Sequence, residues 1–203
     1  MGNEHQALQL LANNYMKRSH GYWEERSGHY DSPLPDVLGR NITGSYLRKL
    51  KPKSLVEVGC GTGQLFPLYK DIPHVVGADW TDGMLEQSKK RIERHEYNNI
   101  ALKKLNICTD ALPEKFDVAL TRTVLMHISE DDIEAACQHL TEMADRLMLF
   151  EFYDPTAPRL EWHNFHHEYP LILRKFGFEI EEAYERQDGM KQILFIFKRK
   201  EKK

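Results

Sequence analysis

Short apolar runs alternate with amphipathic segments along most of the chain. The first run, Leu55, Val56 and Val58, is largely β-branched and apolar in both side-chain directions. Such a run is typical of a strand buried on both faces of a sheet. The same criterion predicts strands at 74–79, 100–105, 116–120 and 146–152. Apolar residues at helical spacing predict helices at 36–50, 65–69, 82–97 and 129–144.

The last third of the chain ends in a strand pair. A helix at 169–176 is followed by strands at 178–184 and 192–198, with a turn at Asp188-Gly189 between them. Alternating strands and helices require a mostly parallel sheet, and the final turn makes one strand antiparallel. The predicted fold is therefore α/β: a doubly wound, mostly parallel seven-stranded sheet with a C-terminal antiparallel hairpin and helices on both faces.

The first 35 residues follow a different pattern. Helical spacing predicts a helix at 4–17, and a stretch rich in Gly, Pro and Ser follows it. This stretch carries large aromatic residues, which favours a lid or a binding loop over a linker. We therefore predict an N-terminal helix and aromatic lid segment over 1–35, and the main domain over 36–203. Tyr22, Trp23 and Tyr30 are predicted substrate contacts, or alternatively cover the adjacent core.

Composition narrows the function classes. A net charge of −3 gives no reason to expect a nucleic acid partner. No apolar run approaches the length of a membrane span, and the N-terminus has no apolar signal core. The three cysteines form no C-x-x-C pair, which indicates reduced thiols and a cytoplasmic location. We predict no membrane partner, and the sequence leaves the oligomeric state open.

A glycine-rich turn follows the first strand. Gly59, Gly61 and Gly63 stand at alternate positions, and Glu57 precedes them. Glycines between a strand and a helix allow the backbone to approach a ligand closely, because no Cβ intervenes. The second strand ends at Asp79, at the spacing where a carboxylate meets ribose hydroxyls in a nucleotide-binding β-α-β unit.

The run Glu57-x-Gly59-x-Gly61-x-Gly63 resembles the first motif of the class I S-adenosylmethionine (SAM) dependent methyltransferases, of the type that acts on small molecules. The resemblance covers roughly residues 36–198 and implies SAM as the cofactor. It places Glu57 at the ammonium of the methionyl group, the glycines beside the ligand, and Asp79 on both ribose hydroxyls. A nicotinamide dinucleotide is disfavoured, because Gln64 stands where that fingerprint requires Gly or Ala.

The same resemblance extends to the ends of the later strands. Trp80 and Met84 are predicted to line the adenine pocket, where an indole face stacks well; Met84 is equally suited to an ordinary helix core. Asn106 stands where the family commonly has an acid for the adenine amino group, and Asp110 is the competing choice. Ile107 is predicted at the adenine face. Thr121 and Arg122 stand where the segment after the fourth strand passes the methyl donor.

The acceptor side is predicted from residues after the fourth and fifth strands. His127, His163 and His166 are candidate catalytic residues, since histidine transfers protons near neutral pH. Glu151 and His167 are candidate substrate contacts. The histidine cluster also has donor types suited to a metal, but H-x-x-H-H matches no standard zinc framework and adjacent histidines diverge. We predict no metal site.

These observations together predict a SAM-dependent methyltransferase that transfers a methyl group to O or N of a small-molecule acceptor. A protein or RNA methyltransferase is the first alternative, which a concave basic patch near the strand ends would favour. A non-catalytic SAM-binding regulatory protein is the second. The sequence does not identify the acceptor, since the cofactor carries the difficult step and the family has no fixed catalytic motif.

Overall fold

The structure, a computed structural model, describes residues 19–29, 36–153 and 164–201. The predicted helix at 4–17 lies outside these residues. Residues 19–26 are helical and are called α1. The other α-helices are α2 (Val37–Leu50), α3 (Asp82–His95), α4 (Ile133–Met143) and α5 (Tyr169–Lys175). Two short 3₁₀ helices span Phe66–Tyr69 and Leu125–His127. None of the described helices is long and apolar enough to cross a bilayer.

Seven strands form one sheet. They are β1 (Ser54–Val58), β2 (His74–Asp79), β3 (Ile100–Lys104), β4 (Val118–Arg122), β5 (Arg146–Phe152), β6 (Phe178–Glu185) and β7 (Gln192–Arg199). Their order across the sheet is β3-β2-β1-β4-β5-β7-β6. The first five strands pair in parallel, and β7 pairs antiparallel with both β5 and β6. The predicted fold class is confirmed.

The sheet separates two apolar cores, because successive side chains of a strand point to opposite faces. Leu55 belongs to the core shared with α2, whereas Val56 belongs to the core shared with α4 and α5. The same alternation continues in β4 and β5, where Leu120 and Phe150 lie on the α2 face. This rule decides which strand-end side chains reach a given side of the sheet.

Three predicted boundaries are wrong. β4 begins at Val118, because Phe116 makes only an isolated bridge to Ala144. The segment after the glycines is a 3₁₀ helix, in which Pro67 stands in the first turn and lacks an N–H to donate. α4 begins at Ile133 rather than at residue 129, since the Ser129 hydroxyl donates to the Asp132 carboxylate (2.7 Å) instead of capping the helix backbone.

Candidate cofactor and acceptor site

A deep crevice lies at the carboxyl ends of the central strands. It opens between β1 and β4, the point from which the strands run outward in opposite directions, where doubly wound sheets bind ligands. Its empty space, including open solvent at the mouth, is about 1060 Å³. The predicted residues that line it are Trp23, Glu57, Gly59, Gly61, Asp79, Trp80, Met84, Asn106, Ile107 and His127.

The glycine turn forms one wall of this crevice. Gly59, Gly61 and Gly63 have φ angles of +73°, +54° and +77°, which side chains with a Cβ rarely adopt. A Cβ on Gly59 would also lie 2.3 Å from Cγ2 of Val124. Gly63 does not line the crevice; a Cβ there would meet the ring of Phe66 at 2.5 Å. Gly63 is therefore required by packing, and no contact with the crevice is seen.

Asp79 closes the turn from the second strand. Its Oδ2 accepts the N–H of Gly61 (2.9 Å), and its Oδ1 accepts the N–H (3.0 Å) and hydroxyl (2.9 Å) of Thr81. Burial raises the pKa of this carboxyl, and these hydrogen bonds oppose that shift. The backbone N–H of Trp80 also contributes a hydrogen bond to this carboxylate. A carboxylate has about four acceptor positions, so a ligand hydroxyl would share or replace one of these contacts.

Glu57 projects from β1 into the floor of the crevice. Its side chain is on the α2 face, and the residue is 3% exposed. Oε2 has no hydrogen bond of normal geometry among the described residues, although the buried Tyr69 hydroxyl lies close enough to lower the pKa of Glu57. Burial raises the pKa of Glu57 to about 8. A buried acceptor without a partner costs free energy, so a cationic donor that entered the crevice would be stabilised there.

Trp80, Met84, Asn106 and Ile107, the residues predicted for an adenine pocket, also line the crevice. Asn106 accepts the N–H of Cys108 through Oδ1 (3.1 Å). The competing residue, Asp110, does not line the crevice. Apolar and polar groups are therefore arranged here as a flat heterocycle would require.

Helix α1 lies over the crevice. The rings of Trp23 and His127 approach edge to face, 4.9 Å apart, and the rings of His20 and Trp80 are 5.1 Å apart. Glu24 accepts the N–H of Gly83, in the first turn of α3, at 2.9 Å. Tyr22 packs on Trp23 but does not line the crevice, and Tyr30 lies outside the described residues. The described part of the predicted lid segment therefore contributes Trp23 to the crevice lining, and its role as a lid stays a prediction.

Sequence reasoning missed an ionic cluster at the edge of the crevice. Arg122, at the end of β4, lines the crevice and donates to Asp36, the residue that caps α2. Arg186 binds the same carboxylate through both terminal nitrogens, at 2.6 and 2.7 Å. Arg122 and Arg186 lie 86 and 150 positions from Asp36 in the sequence. Only the run Thr121-Arg122 indicated a functional position in the sequence.

The chain was compared with known proteins. Residues 55–145 match the family model described as a methyltransferase domain. This stretch, 91 of the chain's 203 residues, is therefore similar to a methyltransferase domain. An uncharacterised protein of Haemophilus influenzae is 35% identical over 63 residues, which is 30% of this chain. That match spans a quarter of the length of the curated relative.

Two solved structures share the fold of this chain. Magnesium protoporphyrin IX methyltransferase (ChlM) from Synechocystis PCC 6803, with bound S-adenosylhomocysteine (SAH), is 19% identical, with a TM-score of 0.72 over 95% of this chain and 99% of that one. N-methyltransferase NodS from Bradyrhizobium japonicum WM9, also with SAH, is 18% identical, with a TM-score of 0.74 over 90% and 99%. At these identities the likeness shows the fold.

Two residues predicted to face the cofactor or the acceptor lie on the other face of the sheet. Thr121 is inside β4 and fully buried, and Glu151 is fully buried beside Cys137 of α4. The Glu151 carboxylate accepts the N–H of Val124, and burial raises its pKa to about 7. Neither residue lines the crevice, because alternation along β4 and β5 directs both away from it.

The predicted acceptor histidines are separated in space. His127 lines the crevice, whereas His167 is buried, and its Nε2 lies 2.9 Å from the carbonyl oxygen of Ile128. Burial lowers the pKa of His167, which favours its neutral form. Its contact with the Ile128 carbonyl oxygen connects two loops. His166 packs on Phe152, with ring centres 5.2 Å apart, and is not part of the crevice lining.

His163 lies outside the described residues. Within the described part of the chain, no three His, Cys, Asp or Glu side chains are grouped as metal ligands would be.

Proposed function

We propose that this protein binds SAM in the crevice and transfers its methyl group to O or N of a small-molecule acceptor. The observation that carries the proposal is the meeting of three features in one crevice: the glycine turn, the buried Glu57 carboxyl and the Asp79 carboxylate. Each has a counterpart in SAM: the methionyl chain for the glycine turn, its ammonium for Glu57 and the ribose for Asp79.

The residues present fit this cofactor end to end. Glu57 would face the ammonium, Gly59 and Gly61 leave room for the methionyl chain, and Asp79 would accept from the ribose. Trp80, Met84, Asn106 and Ile107 would hold the adenine. Gly63 and Thr121, which were predicted in this set, would support the site from behind. When bound, SAM supplies an electrophilic methyl group on a sulfonium.

The chain's own residues then position the acceptor and exclude water. Trp23 of α1 covers the crevice above His127. Because both side chains line the crevice, we assign Trp23 to shielding of the reacting groups and His127 to orientation or deprotonation of the acceptor. Tyr22 supports Trp23. Roles for Tyr30, His163 and His166 at the acceptor remain predictions.

A small-molecule acceptor is supported by the names of the structural neighbours. ChlM is a magnesium protoporphyrin IX methyltransferase, and NodS is an N-methyltransferase. The absence of a nucleic acid or membrane partner and a cytoplasmic location remain predictions. The division into a lid segment at 1–35 and a main domain at 36–203 also remains a prediction.

Isothermal titration calorimetry with SAH tests the cofactor assignment. We expect saturable binding to the wild-type protein and a loss of at least tenfold in Asp79→Ala, since charge-assisted hydrogen bonds contribute about 1.5–3 kcal/mol. Asp110→Ala removes a nearby carboxylate that does not line the crevice and should bind SAH normally. The absence of saturable binding to the wild-type protein, or an unchanged affinity in Asp79→Ala, would reject the assignment.

Turnover separates an enzyme from a SAM-binding regulator. Conversion of SAM to SAH, measured across a panel of small phenols, amines and carboxylic acids, should rise with at least one acceptor. Binding without turnover across the panel would favour a regulatory protein, and methylation only of protein or RNA would favour a macromolecular acceptor.

A further inference from the structure

Arg122 carries a buried hydrogen-bond donor that nothing in the described part of the chain satisfies. The side chain is 14% exposed and lines the crevice, and its guanidinium lies 5.9 Å from the centre of the Phe150 ring. Nη2 donates to Asp36, but Nε–H is buried and has no acceptor among the described residues. Buried donors are nearly always paired, so an orphan at a ligand crevice indicates a missing acceptor.

The surrounding cluster fixes the guanidinium without using that donor. Asp36 is held by the N–H of Gly39 (3.0 Å) and by Arg186, whose side chain is only 4% exposed. A Cβ on Gly39 would lie 2.2 Å from Oδ2 of Asp36 and 2.8 Å from Nη2 of Arg122. The arrangement therefore depends on a helical glycine, and Arg122 is held in place before any ligand arrives.

The nearby acids do not neutralise Arg122 on its crevice side. Asp36 is shared with Arg186, and Asp188 pairs only with Arg186 (2.6 Å). Glu57 is the acid that acts on Arg122 from within the crevice, and burial raises its pKa to about 8. In the empty crevice Glu57 is therefore mostly uncharged at neutral pH. When an ammonium ionises it, the two opposite charges offset each other, so an anion beside Arg122 meets no strong net repulsion.

We propose that Arg122 receives a carboxylate of a molecule bound in the crevice through its Nε–H. The inference rests on the proposed function and adds a recognition residue to it. The guanidinium is planar and permanently charged, which matches the planar geometry of a carboxylate. Two sources share this chemistry: the methionyl carboxylate of SAM, and a carboxylate on the methyl acceptor.

The test compares two nucleosides on wild-type protein, Arg122→Gln and Arg122→Lys. SAH has the amino acid carboxylate, whereas 5′-methylthioadenosine lacks it. If the carboxylate is the cofactor's, the affinity for SAH falls at least tenfold in both variants, while the affinity for 5′-methylthioadenosine changes less than twofold. Arg146→Gln removes an exposed arginine, paired with Glu181 at the other end of the sheet, and should change neither affinity.

If SAH affinity is unchanged in the variants, benzoate is titrated onto the SAH-loaded proteins. Binding to wild type that is lost in Arg122→Gln assigns the carboxylate to the acceptor. Equal behaviour of wild type and variants toward both SAH and benzoate overturns the proposal and leaves the cofactor assignment intact. If wild type fails to bind SAH, the proposed function fails, and benzoate titrated into the empty protein still decides whether Arg122 binds a carboxylate.

Folding is checked by thermal unfolding of each variant. Arg122→Lys keeps the charge but loses the Nε–H fork, so it isolates the geometry should Arg122→Gln not fold.

Discussion

The carboxylate of Glu151 accepts the backbone N–H of Val124, at 3.0 Å to Oε2 and 3.2 Å to Oε1. Val124 in turn fills the space beside Gly59, where a Cβ would meet its Cγ2 at 2.3 Å. A buried acid on one side of the sheet thus holds the turn that packs on the glycine wall of the crevice. Two predictions follow from this chain of contacts.

Gly59→Ala should weaken both folding and SAH binding, because it combines backbone strain with a clash. The left-handed conformation costs about 1–2 kcal/mol for a residue with a Cβ, and the clash with Val124 adds to it. Chemical denaturation measures the free energy of unfolding, and calorimetry measures the affinity for SAH.

Gly177→Ala is the matched control for this prediction. Gly177 has a φ of +79°, but a Cβ there would meet nothing within 4 Å. Its substitution should cost only the strain and leave SAH binding unchanged. Val124→Ala should recover part of the stability lost in Gly59→Ala, and strict additivity of the two changes would exclude the clash.

Glu151→Gln should flatten the pH dependence of stability. The pKa of Glu151 is raised from 4.5 to about 7, so between these values the folded protein keeps a proton that the unfolded chain releases. The stabilisation that protonated Glu151 gives the folded protein is complete below pH 4.5 and is lost as pH rises through about 7. A shift of this size corresponds to about 3 kcal/mol.

Denaturation at pH 5 and pH 8 measures this effect. From pH 5 to pH 8, the unfolding free energy of the wild-type protein should fall relative to that of Glu151→Gln. A constant difference would show that Glu151 does not titrate in this range. The glutamine keeps a carbonyl oxygen for Val124, so the variant should stay folded.

The strand ends of the site could be predicted because each lies next to an apolar run. Glu57, Asp79 and Asn106 line the crevice as the sequence pattern indicated. Thr121 was misplaced because β4 continues to Arg122, which makes residue 121 an interior strand position facing the opposite core. The strand that contains Glu151 was predicted correctly. The face that its side chain takes depends on register, which a short apolar run does not reveal.

Contacts between distant elements were beyond the sequence. Asp36 caps α2, as a helix start suggests, but its pairing with Arg122 and Arg186 depends on how three elements pack. The same holds for Glu24, which binds the first turn of α3. No local pattern indicates such pairs, because the partners are far apart in the sequence and only the folded chain brings them together.

Glu24→Ala should loosen α1 from the crevice. Its carboxylate accepts the N–H of Gly83 at the amino end of α3, where a negative charge is favourable. We expect faster hydrogen exchange over residues 19–26 and a several-fold faster dissociation of SAH. Glu25→Ala, at an exposed neighbouring position, should change neither rate. If Glu24→Ala also behaves as wild type, α1 does not depend on this contact.

SAH binding should release a proton from Glu57. The pKa of this buried carboxyl is about 8 in the empty crevice, so at a pH of about 6.5 it is almost fully protonated. An ammonium placed beside it favours the ionised form and lowers its pKa. Binding should therefore release close to one proton per SAH, and the affinity should rise as pH increases toward 8.

Calorimetry in buffers of different ionisation enthalpy counts the protons released. Glu57→Gln cannot ionise, so its binding enthalpy should not depend on the buffer. Glu114→Gln, an exposed acid paired with His74, should behave as wild type. The α-amino group of SAH is already protonated at this pH, so it does not change the proton count. If the wild-type protein releases a proton and Glu57→Gln does not, the ammonium lies beside Glu57. Buffer-independent binding by the wild-type protein would place the ammonium elsewhere.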